Sequence, residues 1–436
     1  MLTLSKQPVL RIPAALSTLA FTATLAGSLP SQDASRFPDP SRAARVEDYL
    51  ATLFNSGSLS GSVLLARGDT ILYQGAFGWA ERPGGRRLTV ETPIAVASIL
   101  KPLTSSMSLI LAGQGKLSLE DRVSKWFPQF PSADQITVEF LMSHRSGIQH
   151  RLSRTGYDYE AQTAASMVPM IAAESLLFAP GTRRVYSSMG YVVLARIQEL
   201  ASGKPYWQLL DELILAPAGA RNSFDATRPG KLPPHAMPYF QGPDGEIRRP
   251  TRNLSFIEGA GSLYSTPGDL FAIFSMMDRG GYGSAARERQ IRPTVSWTGL
   301  TDGYRAVLQR DSTGVVVIFA TNFVNGSGDW ILRDLPRIAR GETATPPAVP
   351  NPQVVSLRPE MMKALGGLYG FAPGLWTPLE FVSPKAAFAG DYLLLPTSDS
   401  TLFSVTDYAV IRTVKEAGRV TGLRWGDGNL VFLRKP

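Results

Sequence analysis

The chain has 436 residues, of which 44% are hydrophobic, and it contains no cysteine. This length and hydrophobic content predict a large core divided between two domains, and the lack of cysteine makes the usual zinc ligands scarce and suits an oxidising compartment. The net charge is +8, but lysine and arginine are spread along the chain without a basic run, so a solvated surface explains the charge better than a nucleic-acid partner does.

The N-terminus has the pattern of an export signal. Lys6 and Arg11 precede an apolar run over residues 12–26, and small residues follow it. The run is too short for an ordinary transmembrane span. We therefore predict that residues 1–28 are a signal peptide, that the protein is periplasmic or secreted, and that no stable membrane insertion remains after the signal is removed.

Hydrophobic spacing and turn residues divide the next part of the chain into helices and strands. Residues 41–54 predict a first helix, and residues 61–66 and 70–78 predict an antiparallel hairpin. Further helices are predicted at residues 138–142, 191–200 and 267–277, and further strands at residues 304–310 and 315–320. The strands would form one antiparallel sheet with helices packed against it, which gives an α/β (α+β) sandwich beside a mostly helical subdomain.

Ser98 and Lys101 form an S-x-x-K motif at the start of another predicted helix. Because proline is tolerated only within about the first turn of a helix, Pro102 indicates that this helix begins close to Ser98. Residues three apart on a helix lie on one face, about 5–6 Å apart at Cβ, so the Lys101 amine can reach the Ser98 hydroxyl. Taken alone, the motif also fits a core helix that carries these residues by chance.

Two later segments complete a three-part pattern. Tyr186 opens a Tyr-Ser-Ser segment, and Trp297 opens a Trp-Thr-Gly segment. Together with flanking segments such as residues 136–148 and 261–266, these motifs resemble the serine β-lactamase superfamily, in its class C β-lactamase, D-aminopeptidase and carboxylesterase branch. The resemblance covers roughly residues 44–340.

The resemblance implies a serine acyl-transfer site with a β-lactamase/transpeptidase-like fold, in the cleft between the sheet and the helical subdomain. Ser98 would be the nucleophile, Lys101 would hold or remove its proton, and Tyr186 would be the second base. The N–H groups of Ser98 and Leu300 would form the oxyanion hole. The residues implied to bind substrate are Ser188, Trp297, Thr298 and Gly299.

Two positions depart from the lactam-hydrolysing pattern of the family. Trp297 stands where those enzymes have Lys or His, and Ser188 stands where they have Asn. The loss of a cation removes a partner for a substrate carboxylate, and tryptophan offers an apolar wall instead. We therefore predict a neutral or apolar acyl ester as substrate, although Arg292 or Arg305 could restore the missing charge.

Other sites fit the sequence less well. The chain has no G-x-S-x-G elbow, no H-E-x-x-H pair, no P-loop and no dinucleotide fingerprint. His144 is expected to make structural hydrogen bonds rather than to catalyse. We therefore predict no metal and no organic cofactor. Residues 325–328, Asn-Gly-Ser-Gly, are typical of a turn.

Proline is concentrated in residues 341–353, which predicts a linker. Short strand patterns beyond it resemble the small β-barrel appendage that follows the hydrolase domain in some relatives. The predicted domains are the signal peptide (1–28), a β-lactamase-like serine hydrolase domain (41–340), the linker (341–353) and a small β-rich domain (354–436). The sequence leaves open whether this last domain caps the site, binds substrate or stabilises the fold.

The sequence therefore predicts an enzyme, an exported serine hydrolase that forms an acyl-enzyme on Ser98 and acts as a carboxylesterase. Its partner would be a small-molecule ester or peptide. The alternatives are a peptidase or amidase for D-amino acid or cell-wall fragments, a weak β-lactamase, and a non-catalytic cell-wall-binding relative. The presence of Ser98, Lys101 and Tyr186 together argues against the last of these.

Overall fold

The structure, a computed structural model, describes residues 34–82, 85–153, 156–241, 247–248, 252–372, 375–428 and 430–435. The predicted signal peptide lies outside the described residues. The helices of the described part are α1 (Pro40–Asn55), α2 (Leu100–Gly113), α3 (Val138–Met142), α4 (Ala164–Ala172), α5 (Ser188–Ser202), α6 (Tyr206–Leu210), α7 (Ala216–Ala218), α8 (Pro267–Asp278), α9 (Ser284–Gln290), α10 (Ser327–Ala339) and α11 (Pro359–Leu365).

The strands before the proline-rich segment are short except for those of one sheet. They are β1 (Gly61–Arg67), β2 (Thr70–Phe77), β3 (Trp79–Glu81), β4 (Arg86–Arg87), β5 (Ile94–Ala95), β6 (Phe224–Asp225), β7 (Phe240–Gln241), β8 (Ile247–Arg248), β9 (Leu263–Ser265), β10 (Val295–Thr301), β11 (Tyr304–Arg310) and β12 (Val315–Thr321). The strands after it are β13 (Gly367–Ala372), β14 (Leu375–Ser383), β15 (Ala386–Ala389), β16 (Tyr392–Pro396), β17 (Thr401–Ser404), β18 (Ala409–Glu416), β19 (Arg419–Trp425) and β20 (Val431–Leu433).

A five-stranded antiparallel sheet in the order β10-β11-β12-β1-β2 forms the centre of the first part of the chain. Its middle strands are apolar on both faces, because each face is covered by helices. Val63 and Leu65 of β1 pack in the cluster that contains α1 and α10, whereas Leu64 and Ala66 point to the larger core on the other side. The sheet thus separates a pair of helices from the helical subdomain.

The helix α2 runs through the larger core. Most of its residues are buried, including the polar side chains of Thr104 and Ser105. Thr104 shares a hydrogen bond of 2.7 Å with the Tyr206 hydroxyl, and Ser105 shares one of 2.9 Å with the Tyr191 hydroxyl. These bonds satisfy polar groups that would otherwise be costly to bury, and they fix α2 against α5 and α6. The first turn of α2 is thereby held firmly relative to the N-terminus of α5.

The last part of the chain is an antiparallel meander of eight strands, β13 to β20 in sequence order. Tyr369 of β13 bridges to Arg434 beyond β20, so the two edges of this sheet meet and the sheet is nearly closed. Its own apolar core includes Leu394, Leu402 and Leu423. The predicted fold class is confirmed, including the all-β C-terminal part, while the domain boundaries stay predictions.

Parts of the fold differ from the sequence predictions, because the sequence patterns did not predict α4, α6, α7, α9, α10 or α11. The Asn-Gly-Ser-Gly stretch is a turn only at its start, because Ser327 and Gly328 are the first residues of α10. The prediction of a simple turn there was wrong, and α10 was missed. The C-terminal strand patterns in the sequence lie at residues 365–370, 392–395, 420–425 and 430–433, so β14, β15, β17 and β18 were not predicted.

Candidate active site

Ser98 lies in a tight 3-10 turn, Ala97–Ile99, that leads directly into α2. Ala97 has a φ of 47°, which is unusual for a residue with a side chain and marks local backbone strain. The segment that contains Gly261 packs closely against this turn, since a Cβ on Gly261 would lie 3.3 Å from the carbonyl carbon of Ala97. The Ser98 side chain is half-buried. The predicted start of the helix close to Ser98 is confirmed.

Lys101 lies one turn further along and is 4% exposed. Its Nζ donates to Ser98 Oγ at 3.0 Å and to the Ala260 carbonyl at 2.7 Å. Burial lowers the pKa of the Lys101 ammonium below its usual value, and the nearby Tyr186 opposes this shift only in part. The amine is therefore closer to its neutral, proton-accepting form than an exposed lysine would be.

Tyr186 is the second side chain in contact with the Ser98 hydroxyl. Its hydroxyl donates to Ser98 Oγ at 2.7 Å, and its ring lies 4.9 Å from Lys101 Nζ. The ring is held between two imidazoles, with centroid distances of 4.6 Å to His144 and 5.2 Å to His150. The structure thus brings the three predicted catalytic side chains together around one hydroxyl oxygen.

The two histidines connect Tyr186 to the start of α5. The backbone N–H of Ser187 donates to His144 Nδ1 at 3.2 Å, and that of Ser188 donates to His150 Nδ1 at 3.1 Å. Burial lowers the pKa of His144 and of His150 to about 3 in each case. Both imidazoles are therefore neutral at ordinary pH, and they pack and position rather than transfer protons. The structural role expected for His144 agrees with these contacts, whereas His150 was not singled out from the sequence.

A buried segment behind Lys101 supplies the second acceptor for its amine. Thr104 Oγ1 donates to the Gly259 carbonyl at 2.6 Å, next to the Ala260 carbonyl that Lys101 uses. Glu258, which precedes these two residues, accepts a hydrogen bond from the Ala164 N–H at the start of α4. Burial raises the pKa of Glu258 to about 8. Sequence patterns gave no signal for this carboxyl group.

The strand β10 forms the wall beside the Ser98 turn. A Cβ on Gly299 would lie 2.0 Å from the Val96 carbonyl oxygen and 3.0 Å from the Ser98 nitrogen, so only glycine allows this approach. Trp297 shares this face of the strand, since side chains alternate along it, and its ring packs edge-on against Phe274 at 5.8 Å. Thr298 is exposed on the opposite face, and Leu300 is half-buried.

Three further residues concern charge and polarity around the site. Ser188 is only 8% exposed, and its role in substrate binding stays a prediction. Arg305 forms an ion pair with Asp329, and Arg292 donates to backbone carbonyls of its own segment. Among the contacts described, neither arginine replaces the cation missing at Trp297.

Within the ranges that the structure describes, His, Asp and Glu form no group of three or more that could hold a metal ion. None of the described helices is both long enough and apolar enough to span a bilayer.

Comparison with known proteins agrees with this geometry. A family model described as Beta-lactamase matches residues 43–330. The chain belongs to the beta-lactamase family. Penicillin-binding protein 4* of Bacillus subtilis (strain 168) is 30% identical over 280 residues, which cover 59% of this chain and 61% of that protein. Esterase EstB of Burkholderia gladioli is 29% identical over 269 residues, which cover 56% of this chain and 68% of that protein.

The match to solved structures concerns the fold alone. The crystal structure of SurE is 20% identical and has a TM-score of 0.58, and the match covers 90% of this chain and 99% of that chain. Because the match to SurE covers 90% of this chain, it extends beyond residues 43–330, the 288 residues that the family model matches. The chain spans less than two thirds of the length of penicillin-binding protein 4*. The resemblance stated from the motifs is thus confirmed as membership of a family of serine hydrolases with the β-lactamase fold.

Proposed function

We propose that this chain is a serine hydrolase that forms an acyl-enzyme on Ser98 and acts as a carboxylesterase on neutral or apolar acyl esters. One observation carries the proposal: Ser98 Oγ is within hydrogen-bond distance of both Lys101 Nζ at 3.0 Å and Tyr186 OH at 2.7 Å. A nucleophile in contact with two groups that can exchange its proton is the arrangement that covalent catalysis requires.

The proposed acylation step starts with proton transfer from Ser98. A neutral Lys101 amine accepts the proton of the hydroxyl while Oγ attacks the ester carbonyl carbon. The resulting oxyanion is bound by the N–H groups of Ser98 and Leu300. The bond to the leaving oxygen then breaks, the Tyr186 hydroxyl gives its proton to that oxygen to form the alcohol, and the Lys101 ammonium restores the proton of Tyr186.

Deacylation repeats these transfers with water in place of Ser98. The attacking water passes a proton to Tyr186 while the proton of Tyr186 moves to the neutral Lys101 amine, and the Ser98 oxygen then leaves and receives a proton from the Lys101 ammonium. The sum is one ester and one water converted to one acid and one alcohol. The neutral imidazoles of His144 and His150 have no part in these transfers and serve to hold the Tyr186 ring.

The proposed substrate class rests on β10. Trp297 and Phe274 form an apolar, edge-to-face pair on the face of the strand that adjoins the Ser98 turn. A cation in place of Trp297 would favour a carboxylate, whereas this aromatic pair favours an uncharged acyl or alcohol group. Gly299 allows the strand to approach the nucleophile, and Thr298 offers a hydroxyl on the exposed face.

A second candidate is a peptidase or amidase for D-amino acid or cell-wall fragments, with weak β-lactamase activity as a variant of it. The observation in its favour is Arg184, an exposed cation two residues before Tyr186 that lies close enough to lower the pKa of His144. The match to a penicillin-binding protein supports the same candidate. A non-catalytic cell-wall-binding protein would have no chemical need for Lys101 and Tyr186 around Ser98.

We further propose that the protein is exported through residues 1–28 and works in the periplasm or outside the cell. The apolar run that follows Lys6 and Arg11 supports this proposal. Cell fractionation followed by N-terminal sequencing tests this proposal. Recovery of the protein from the periplasm or the medium without residues 1–28 is expected, and recovery with an intact N-terminus from the cytoplasmic fraction would contradict it.

The test of the activity compares p-nitrophenyl esters from acetate to octanoate with a chromogenic cephalosporin and a peptide ending in D-Ala-D-Ala. The wild-type protein is expected to hydrolyse the esters fastest. Ser98→Ala should lower ester turnover by about 1,000-fold or more, while Ser284→Ala, at an exposed serine that starts α9, should retain it. Faster turnover of the peptide would favour the second candidate, and ester turnover that survives Ser98→Ala would contradict the proposal.

A further inference from the structure

The eight-stranded C-terminal sheet contacts the first part of the chain close to the candidate active site. The contact that concerns the site is made by the tight turn between β15 and β16, which consists of Gly390 and Asp391. Asp391 has a side chain that is only 10% exposed, although it lies at the tip of a turn. Gly390 is close to Arg151, since a Cβ on it would lie 3.8 Å from the guanidinium nitrogens.

Asp391 binds three separate segments of the first part of the chain. Its Oδ2 pairs with Arg151 Nη2 at 3.1 Å. Its Oδ1 lies 3.4 Å from Arg252 Nη1 and accepts from the backbone N–H of Asp302 at 3.4 Å. Arg252 in turn pairs with Asp158 at 2.8 Å and Asp302 at 3.4 Å. These contacts form a partly buried ionic cluster that joins four parts of the chain.

One arm of this cluster leads to the Tyr186 side of the site. Arg151 directly follows His150, whose ring packs on Tyr186 at 5.2 Å and whose Nδ1 accepts from the Ser188 N–H. The Arg151–Asp391 ion pair therefore restrains the backbone that holds this imidazole against Tyr186.

The other arm leads to the proposed oxyanion hole. Asp302 lies in the turn between β10 and β11, two residues after Leu300, and has a φ of 35°. Gly303 is wedged in the same turn, because a Cβ on it would lie 3.1 Å from Pro238 and Tyr239. The bond from the Asp302 N–H to Asp391 fixes the end of the strand that carries Leu300.

We propose that Asp391 is a positioning residue for the active site: one carboxylate of the C-terminal sheet holds both the His150–Tyr186 wall and the Leu300 end of β10. This inference rests on the proposed function for its effect on turnover, whereas the restraint itself does not depend on it. The C-terminal sheet thereby completes the catalytic geometry through contacts outside the reacting atoms.

The activity test uses Asp391→Asn in the full chain. Because small displacements of catalytic groups are costly, kcat/KM for a p-nitrophenyl ester should fall about tenfold or more, mainly through kcat. Asp391→Glu should restore part of the loss, and Asp391→Asn combined with Arg151→Gln should cost less than the sum of the two single changes. Asp399→Asn, at an exposed C-terminal aspartate 3.7 Å from Arg358, is the matched control and should retain wild-type kcat/KM.

Hydrogen–deuterium exchange gives a readout that does not require activity. In Asp391→Asn, peptides covering residues 148–153 and 297–303 should exchange faster than in the wild type and in Asp399→Asn. Unchanged exchange in both peptides would overturn the proposal, and so would faster exchange with undiminished turnover. Faster exchange in a chain whose wild type hydrolyses no substrate would support the restraint and contradict the proposed function.

Discussion

Lys101 owes its chemistry to its position in the core. Taking an ammonium out of water penalises the charged form, and this penalty is the largest influence on the Lys101 pKa. The Ser98 hydroxyl oxygen and the Ala260 carbonyl oxygen accept hydrogen bonds from Lys101 and orient its amine. Neither oxygen carries a negative charge that would stabilise the ammonium form. Lys101 is therefore held within reach of the nucleophile in a state that accepts a proton at modest cost.

Tyr186→Phe isolates the contribution of one hydroxyl group. The substitution retains a ring between His144 and His150 but removes the hydrogen bond to Ser98 Oγ. We expect kcat to fall by about 10²–10⁴-fold, the usual range for a general acid–base group, with little change in the free energy of unfolding. Steady-state kinetics with a p-nitrophenyl ester and urea unfolding measure the two effects.

The control for this substitution is Tyr159→Phe, because Tyr159 is 60% exposed. It should leave kcat within about twofold of the wild type. A Tyr186→Phe protein with wild-type kcat would show that the hydroxyl is not needed for proton transfer.

Trp297→Lys tests the basis of the proposed substrate preference. The new ammonium would lie on the strand face beside Ser98, where it can pair with a substrate carboxylate. We expect the ratio of kcat/KM for a carboxylate-bearing ester to that for a neutral ester to rise by about tenfold. Ser296→Lys adds the same charge at the exposed neighbouring position and should leave the ratio unchanged. An unchanged ratio in Trp297→Lys would contradict the inference that Trp297 favours uncharged substrates.

At the scale of helices and strands, the pattern of apolar residues predicted the strands of the central sheet that are buried on both faces. The strands β1 and β12 are nearly continuous apolar runs, and these two strands and β11 agree with the predicted residues. The helix α10 was missed because its start has two glycines, which ordinarily indicate a turn. The structure gives a different reason for Gly328, where a Cβ would lie 2.8 Å from the Phe319 ring. The glycine allows helix and sheet to approach, which local sequence does not reveal.

The loop that supports Lys101 contains a titratable group whose effect on stability can be measured. Between its ordinary pKa of 4.5 and about 8, Glu258 keeps a proton in the folded state that the unfolded chain has released. Stability should therefore fall as pH rises through this window, by up to about 1.4 kcal/mol per pH unit. Glu258→Gln removes this pH-dependent contribution to stability and retains an oxygen that can accept the hydrogen bond from the Ala164 N–H.

Urea unfolding at pH 5 and pH 8 tests this prediction. The free energy of unfolding of the wild type should decrease relative to that of Glu258→Gln between these two values. The exposed Glu120→Gln variant should follow the wild type at both. A constant difference between wild type and Glu258→Gln across the window would show that the carboxyl is not protonated in the folded protein.

For the molecule as a whole, the main features beyond sequence reasoning are contacts between distant parts of the chain. The S-x-x-K spacing predicted the contact between Lys101 and Ser98, because residues three apart lie on one face of a helix, whereas Tyr186 was assigned to the site through the family resemblance. Arg151 and Asp391 are 240 residues apart, and each looks like an ordinary surface charge in sequence. Their pairing depends on how the C-terminal sheet packs, which no local pattern encodes.

The packing of the C-terminal sheet on α10 can be tested at Gly326. A Cβ there would lie 2.4 Å from the ring of Tyr408, which also contacts Trp330 at 5.2 Å. Gly326→Ala should lower the free energy of unfolding by about 1–3 kcal/mol through overpacking. Gly113→Ala, where nothing lies within 4 Å of the added carbon, should be neutral or slightly stabilising. Equal stabilities of the two variants would contradict the contact.

The measurement that tests the central claim most directly is labelling of the intact protein with a fluorophosphonate, followed by peptide mass spectrometry. The account predicts one adduct on the peptide that contains Ser98, loss of that adduct in Ser98→Ala, and slower labelling in Tyr186→Phe. Labelling at another residue, or ester turnover by an unlabelled Ser98→Ala protein, would contradict an acyl-enzyme at this site.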